Sequence, residues 1–141
     1  MSGRYPYGKK HKYTHMIGED VILWERFIDF HPNYFDTVDY DFRVGIGMNL
    51  KTQWDEKFKR MATMITQKRI DVLGWVRDQP TIVEIKKRVG LSTLGQILGY
   101  KILFKKDFPM IATPSLLVIT ESIDPDNVEV MKASNVPVMV V

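Results

Sequence analysis

Three side chains with complementary chemistry lie near one another in this sequence. They are Asp71 and, thirteen residues on, Glu84 and Lys86, with the apolar Ile85 between the last two. Two carboxylates can share a hard divalent cation, and an ammonium beside them can orient or deprotonate a water and offset charge on a phosphorane-like transition state. Strand periodicity decides whether they meet. Arg69 to Arg77 and Thr81 to Lys87 read as strands, and side chains alternate across a strand. Asp71, Leu73 and Trp75 are therefore expected on one face and Ile70, Val72, Gly74 and Val76 on the other. In the second strand Ile82, Glu84 and Lys86 point one way, Val83 and Ile85 the other. A two-residue loop at Asp78-Gln79, within the Asp78-Gln79-Pro80 turn, would set Asp71 opposite Lys86 and Leu73 opposite Glu84. Two acids on such apolar strands are costly unless a cation neutralises them, and carboxylate oxygens select Mg²⁺ or Mn²⁺ over zinc. The plain alternative is a cross-strand ion pair on an exposed sheet face.

Leu91 to Lys106 reads as the next helix. Gln96 and Tyr100 are four residues apart and share a face; Gly95 and Gly99 share another. Each glycine costs roughly 1 kcal/mol relative to alanine in a helix interior. Either close packing on the sheet or the approach of a ligand must compensate. Charge is zoned around this helix: from Ile85 to Lys106 there are Lys86, Lys87, Arg88, Lys101, Lys105 and Lys106 with no acid, whereas Glu19 to Asp41 holds seven acids against Arg26. That zoning suits a protein that grips a polyanion with one part and holds a cation with another.

The elements that must position these groups fit a chain of 141 residues, 45% hydrophobic and 26% charged, with a net charge of +3. This is the size of one domain, and its composition excludes bulk disorder. No apolar run approaches the roughly 20 residues of a membrane helix. The absence of cysteine excludes disulfides, thiolate metal sites and cysteine nucleophiles. Residues 1–16, basic and rich in tyrosine, show neither period and read as an arm without the apolar stretch of a secretory signal, so the expected location is the cytoplasm. A helix is expected over Ile17 to Phe30, stopped by His31-Pro32, and a strand over Val38 to Ile46. Residues 47–68 form an insertion in which Trp54, Phe58, Met61, Met64 and Ile65 suit either a short amphipathic helix, in the core or covering it, or a mobile segment; a binding surface is the alternative for the same side chains. Ser115 to Glu121 is a buried-type strand, Asp124 caps a helix opened by Pro125 and closed near Ser134-Asn135, and Val136 to Val141 is a last strand. The order is α-β-β-β-α-β-α-β: an α/β domain over 17–141 with a mixed central sheet flanked by helices. His11, His15 and His31 lack the paired spacing of a zinc site.

The runs Arg69-Ile70-Asp71-Val72-Leu73-Gly74, Ile82-Val83-Glu84-Ile85-Lys86 and Gln96-Ile97-Leu98-Gly99-Tyr100 resemble the PD-(D/E)xK nuclease superfamily, in its branch with a Gln-x-x-x-Tyr helix and as a small phage-type member. The likeness spans about residues 17–141. It departs at the proline of the superfamily's name, since Ile70 precedes Asp71. What it implies is a restriction-endonuclease-like fold and metal-dependent hydrolysis of DNA phosphodiesters. Asp71, Glu84 and the Ile85 carbonyl would bind Mg²⁺, Lys86 would position the nucleophilic water, and Gln96 and Tyr100 would contact the substrate near the scissile phosphate. Lys87, Arg88, Lys101 and Lys105 would hold flanking phosphates. A first-helix acid completes such sites; Glu19, Asp20 and Glu25 are open to that role, and Glu25 is favoured because it flanks the stripe Ile17, Val21 and Ile28. Two other classes of function share these features. One is a scaffold that keeps the fold without turnover in an assembly such as a phage virion or head–tail neck, docking phage proteins or further copies of itself through the arm. The other is a DNA-binding module.

Overall fold

The computed structural model describes residues 2–10, 12–13, 16–47 and 55–141, apart from the side chains of 64 and 65. Its elements run β1 (Tyr5–Pro6), α1 (Gly18–Phe30), β2 (Thr37–Val44), α2 (Glu56–Thr66), β3 (Lys68–Val76), β4 (Gln79–Arg88), α3 (Leu91–Asp107), β5 (Ser115–Ser122), α4 (Pro125–Ala133) and β6 (Val138–Val140). The six strands form one sheet in sequence order. β1 to β4 are mutually antiparallel, while β5 and β6 join parallel through the α3 and α4 crossovers. No helix among the described residues is long and apolar enough to cross a membrane.

The helices bury their apolar stripes on the two faces of the sheet. α1 lays Leu23, Trp24, Phe27 and Ile28 against Val38, Val72, Val83, Ile85, Leu117 and Ile119. On the other face Ile97 and Phe104 of α3 and Met131 of α4 pack on Ile70, Leu73, Ile82 and Val118. Each such side chain contributes roughly 1.5–3 kcal/mol of transfer free energy. α1 ends where His31 donates its N–H to the Phe27 carbonyl at 2.9 Å, ahead of Pro32. α4 starts as its sequence dictates: Asp124 accepts from the Asn127 N–H at 2.9 Å, and Pro125 occupies the first turn.

Three expectations change. The basic N-terminal segment is no free arm. Tyr5–Pro6 pairs with β2, Arg4 N–H donates to Asp39 at 3.0 Å, and the Tyr7 ring meets Trp24 and Phe35 edge-on. The insertion holds the 11-residue helix α2, yet Phe58 and Met61 are exposed, so on these side chains it is no core cover; Trp54, like His11 and His15, lies outside the described residues. The alternation along β2 and β3 also switches phase midway. Val38 and Tyr40 belong to the α1 side, Phe42 and Val44 to the α3 side; likewise Val72 faces α1, but Ile70 faces α3 with Leu73 and Trp75. Asp41, at φ 52°, is the cause in β2: a left-handed residue breaks the extended two-residue repeat, and aspartate tolerates that conformation better than most residues.

Candidate active site

The β3–β4 hairpin turns at Arg77-Asp78, not at Asp78-Gln79. Its pairing runs from Val76↔Gln79 to Val72↔Val83, with Leu73 opposite Ile82. The register is thus two residues from the expected one. The turn is fixed from outside: Arg77 takes a φ of 54°, and Asp36 accepts its N–H at 2.9 Å. A shift of two keeps Glu84 and Lys86 on one face of β4 but changes their partners, and Asp71 falls where β3 switches phase.

The ladder ends just before the charged residues, and Asp71 uses the opening. Its carboxylate accepts the Ile85 N–H at 3.0 Å, taking the place of a strand-to-strand bond. Glu84 meanwhile pairs with Val118 of β5, in the middle of the sheet, and is buried. Lys86 Nζ stands 3.7 Å from Glu84 Oε1. The other oxygen, Oε2, is buried and finds no donor among the described residues.

Burial and crowding hold this pair away from full ionisation. Burial pushes the Glu84 carboxyl up to about 8; the Asp71 charge pushes the same way and Lys86 opposes it. Asp71 is also raised by burial, against the Ile85 N–H and the Lys86 charge. Asp20, in the first turn of α1, joins the same field: burial and the Asp71 charge lift it to about 6, and Lys86 pulls it back. From α3, Tyr100 completes the group. Burial and the charges of Glu84 and Asp71 raise its phenol to about 12, so it stays a donor.

Beside Tyr100 lies a shallow pocket of about 300 Å³ lined by Lys68, Gly95, Gln96, Gly99, Tyr100 and Leu103. A Cβ added at Gly95 or Gly99 would meet nothing within 4 Å. The glycines therefore do not serve close packing on the sheet. They keep the pocket wall low.

Nothing among family models, curated proteins or solved structures matches this chain.

Asp71, Glu84, Lys86 and Tyr100 converge, with the Ile85 backbone between the carboxyls and Gln96 one turn away. Glu25 does not join them. Its carboxylate accepts from the Tyr13 hydroxyl at 3.0 Å and fastens the N-terminal segment. The first-helix acid beside Asp71 is Asp20, which stands three, four and seven residues before the buried Leu23, Trp24 and Phe27, whereas Ile17 of the expected stripe is exposed. Lys87 pairs with Glu19 at 3.9 Å, and Arg88 is exposed at the end of β4. Lys105 is committed elsewhere, donating to the carbonyls of Pro109 and Ile111. Sequence reasoning missed Lys68, which reaches the Gln96–Tyr100 pocket from β3; only its place three residues before Asp71 could have signalled it.

As folded, no cluster of three or more His, Cys, Asp or Glu side chains among the described residues forms a ready ligand set. The donor chemistry still suits a hard cation: two adjoining carboxyls, oxygen only, one oxygen without a donor, and a third acid in their field.

Proposed function

We propose that this chain is a metal-dependent nuclease that hydrolyses DNA phosphodiester bonds, in the manner of the PD-(D/E)xK enzymes it resembles. The observation that carries the proposal is the Asp71–Glu84 pair. Two acids share a buried opening in the sheet with an ammonium 3.7 Å from one of them, an arrangement that costs stability unless a cation and a phosphate use it.

Asp71 and Glu84, with the Ile85 carbonyl and Asp20 beside them, would hold Mg²⁺ or Mn²⁺. When bound, the ion supplies a Lewis acid for the phosphoryl oxygen and lowers the pKa of a coordinated water. The remaining work falls to side chains of this protein. Lys86 holds the attacking water by hydrogen bonding and sets positive charge against the pentacovalent phosphorus. Tyr100, protonated across the working range, donates its hydroxyl to a phosphate oxygen. Gln96 and Lys68 line the approach, and the absent Cβ atoms of Gly95 and Gly99 admit a sugar–phosphate backbone to the helix surface.

Cleavage of end-labelled single- and double-stranded DNA with Mg²⁺ or with EDTA tests this. The wild type should cut in Mg²⁺ alone, and Asp71→Asn, Glu84→Gln and Lys86→Met should each lose at least about a hundredfold in rate. Undiminished cleavage by Asp71→Asn would remove this site from the chemistry. No cleavage of any DNA form by the wild type, together with a ring or higher oligomer in solution, would favour the assembly scaffold.

A further inference from the structure

The N-terminal segment and β2 enclose a second pocket that the chemistry above leaves unused. It measures about 360 Å³, and its walls include Arg4, Tyr5, Lys10, Tyr40, Asp41 and Arg43. That volume lies near the lower limit for small-ligand sites, enough for one nucleotide and too little for a duplex. The Tyr5 and Tyr40 rings stand 5.7 Å apart at 41°, and the Lys10 ammonium lies 4.0 Å from the first centroid and 5.2 Å from the second. Aromatic faces beside cations accept an unpaired base and its phosphate without regard to sequence.

Two observations single this pocket out. Arg43 keeps its Nε buried with no hydrogen-bond partner among the described residues, and a carboxylate contact there, Asp41, is at 3.9 Å. A buried donor without an acceptor is costly, and an anionic oxygen relieves it. The pocket also adjoins the acidic pair: Asp41 lies between the pairs Tyr40↔Val72 and Phe42↔Ile70, at the register position facing Asp71, and its charge acts on Asp71.

We propose that this pocket is a subsite for one nucleotide of a single-stranded DNA segment adjoining the scissile phosphate, its base against Tyr5 and Tyr40 and its phosphate on Arg4, Lys10 and Arg43. The proposal rests on the nuclease reading and names the form of substrate. Only an unpaired base presents a face to the two rings. The N-terminal segment thereby acts in substrate selection as well as in the fold.

The test is a titration of the full chain in EDTA, where nothing is cut, with a five-nucleotide oligodeoxyadenylate, with dAMP and with inorganic phosphate, followed by amide NMR shifts. The pentanucleotide should shift Arg4, Tyr5, Lys10, Tyr40 and Arg43, at least tenfold more tightly than dAMP. The double variant Arg4→Gln, Lys10→Gln should weaken it tenfold or more; neither side chain belongs to the core, so the variant reports binding. Shifts confined to other residues would overturn the proposal, as would equal affinity for dAMP, which would mark a free-nucleotide site, or for phosphate, which would mark an anion site. Cleavage of the same oligonucleotide by the same preparation in excess Mg²⁺ keeps the two readings apart. Shifts at this pocket without any cleavage leave a single-strand binding site and overturn the nuclease reading; cleavage without these shifts overturns the pocket and leaves the nuclease reading standing.

Discussion

At the scale of single residues, the carboxyl of Glu84 links folding to pH. Its folded pKa, about 8, lies above the ordinary 4.5, so the native state binds more protons than the unfolded chain between those values. Stability of the metal-free protein therefore falls as pH rises from about 4.5 to 8, and Asp20, raised to about 6, adds to the fall in the lower part of that window. Thermal melts in EDTA at pH 5 and pH 8.5 should show a Tm lower by several degrees at the higher pH, since each kcal/mol moves Tm by roughly 2–8 °C. Glu84→Gln should flatten that dependence. Mg²⁺ should raise Tm at pH 8.5 and do little at pH 5, where protons occupy the carboxyls. The acids of α1 give a second prediction. Asp20→Asn should slow cleavage at least tenfold, whereas Glu25→Gln should leave the rate near wild type and cost about 1 kcal/mol of stability through the Tyr13 contact. The placement of Asp20 was legible in the chain: tested against Leu23, Trp24 and Phe27 in place of Ile17 and Val21, it falls on the buried face.

Among the elements, α3 gives the clearest separation of stability from function. Alanine at Gly95 or Gly99 meets no steric obstacle and has a higher helix propensity, so each substitution should stabilise the fold by roughly 1 kcal/mol. The same methyl group would stand in the pocket beside Gln96 and Tyr100. Melting and DNA binding measured on one preparation should move in opposite directions, with Tm up by a few degrees and affinity down several-fold; a rise in both would assign the glycines to neither packing nor substrate. The hairpin marks the limit of reading elements from sequence. Alternation in β4 put Glu84 and Lys86 on one face correctly, because Ile82, Val83 and Ile85 are buried in strict turn. The register of the turn escaped, because Asp36, forty-one residues before Arg77, decides which two residues form the loop. The phase switch in β2 and β3 escaped for a similar reason. Nothing in the string Asp39-Tyr40-Asp41-Phe42 announces that Asp41 adopts a left-handed conformation, and that switch helps bring Asp41 to the register position facing Asp71.

For the molecule as a whole, the question is whether its first ten residues belong to the fold or only reach outward to DNA or a partner. Their lack of period suggested the second, and their contacts argue for the first. Tyr7 places its ring edge-on to Trp24 and Phe35 and donates its hydroxyl to the His31 carbonyl, Gly3 N–H donates to Thr37 Oγ1 at 2.7 Å, and Lys9 meets Asp29 at 2.8 Å. These contacts clasp the end of α1, the helix that carries Asp20 in its first turn, to the start of β2. Two aromatic pairs and one hydrogen bond amount to roughly 2–4 kcal/mol. Tyr7→Ala should therefore lower Tm by about 5–15 °C and slow cleavage along with it, although Tyr7 lies outside the acidic group. A segment that served only to dock DNA or another protein would leave Tm where it was and change binding alone. Because Trp24 and Phe35 already take up the Tyr7 ring within one molecule, little of it is left for a partner. Truncation of residues 1–10 should for that reason destabilise the domain rather than dissolve an oligomer, which sedimentation and melting of the truncated and full chains would distinguish.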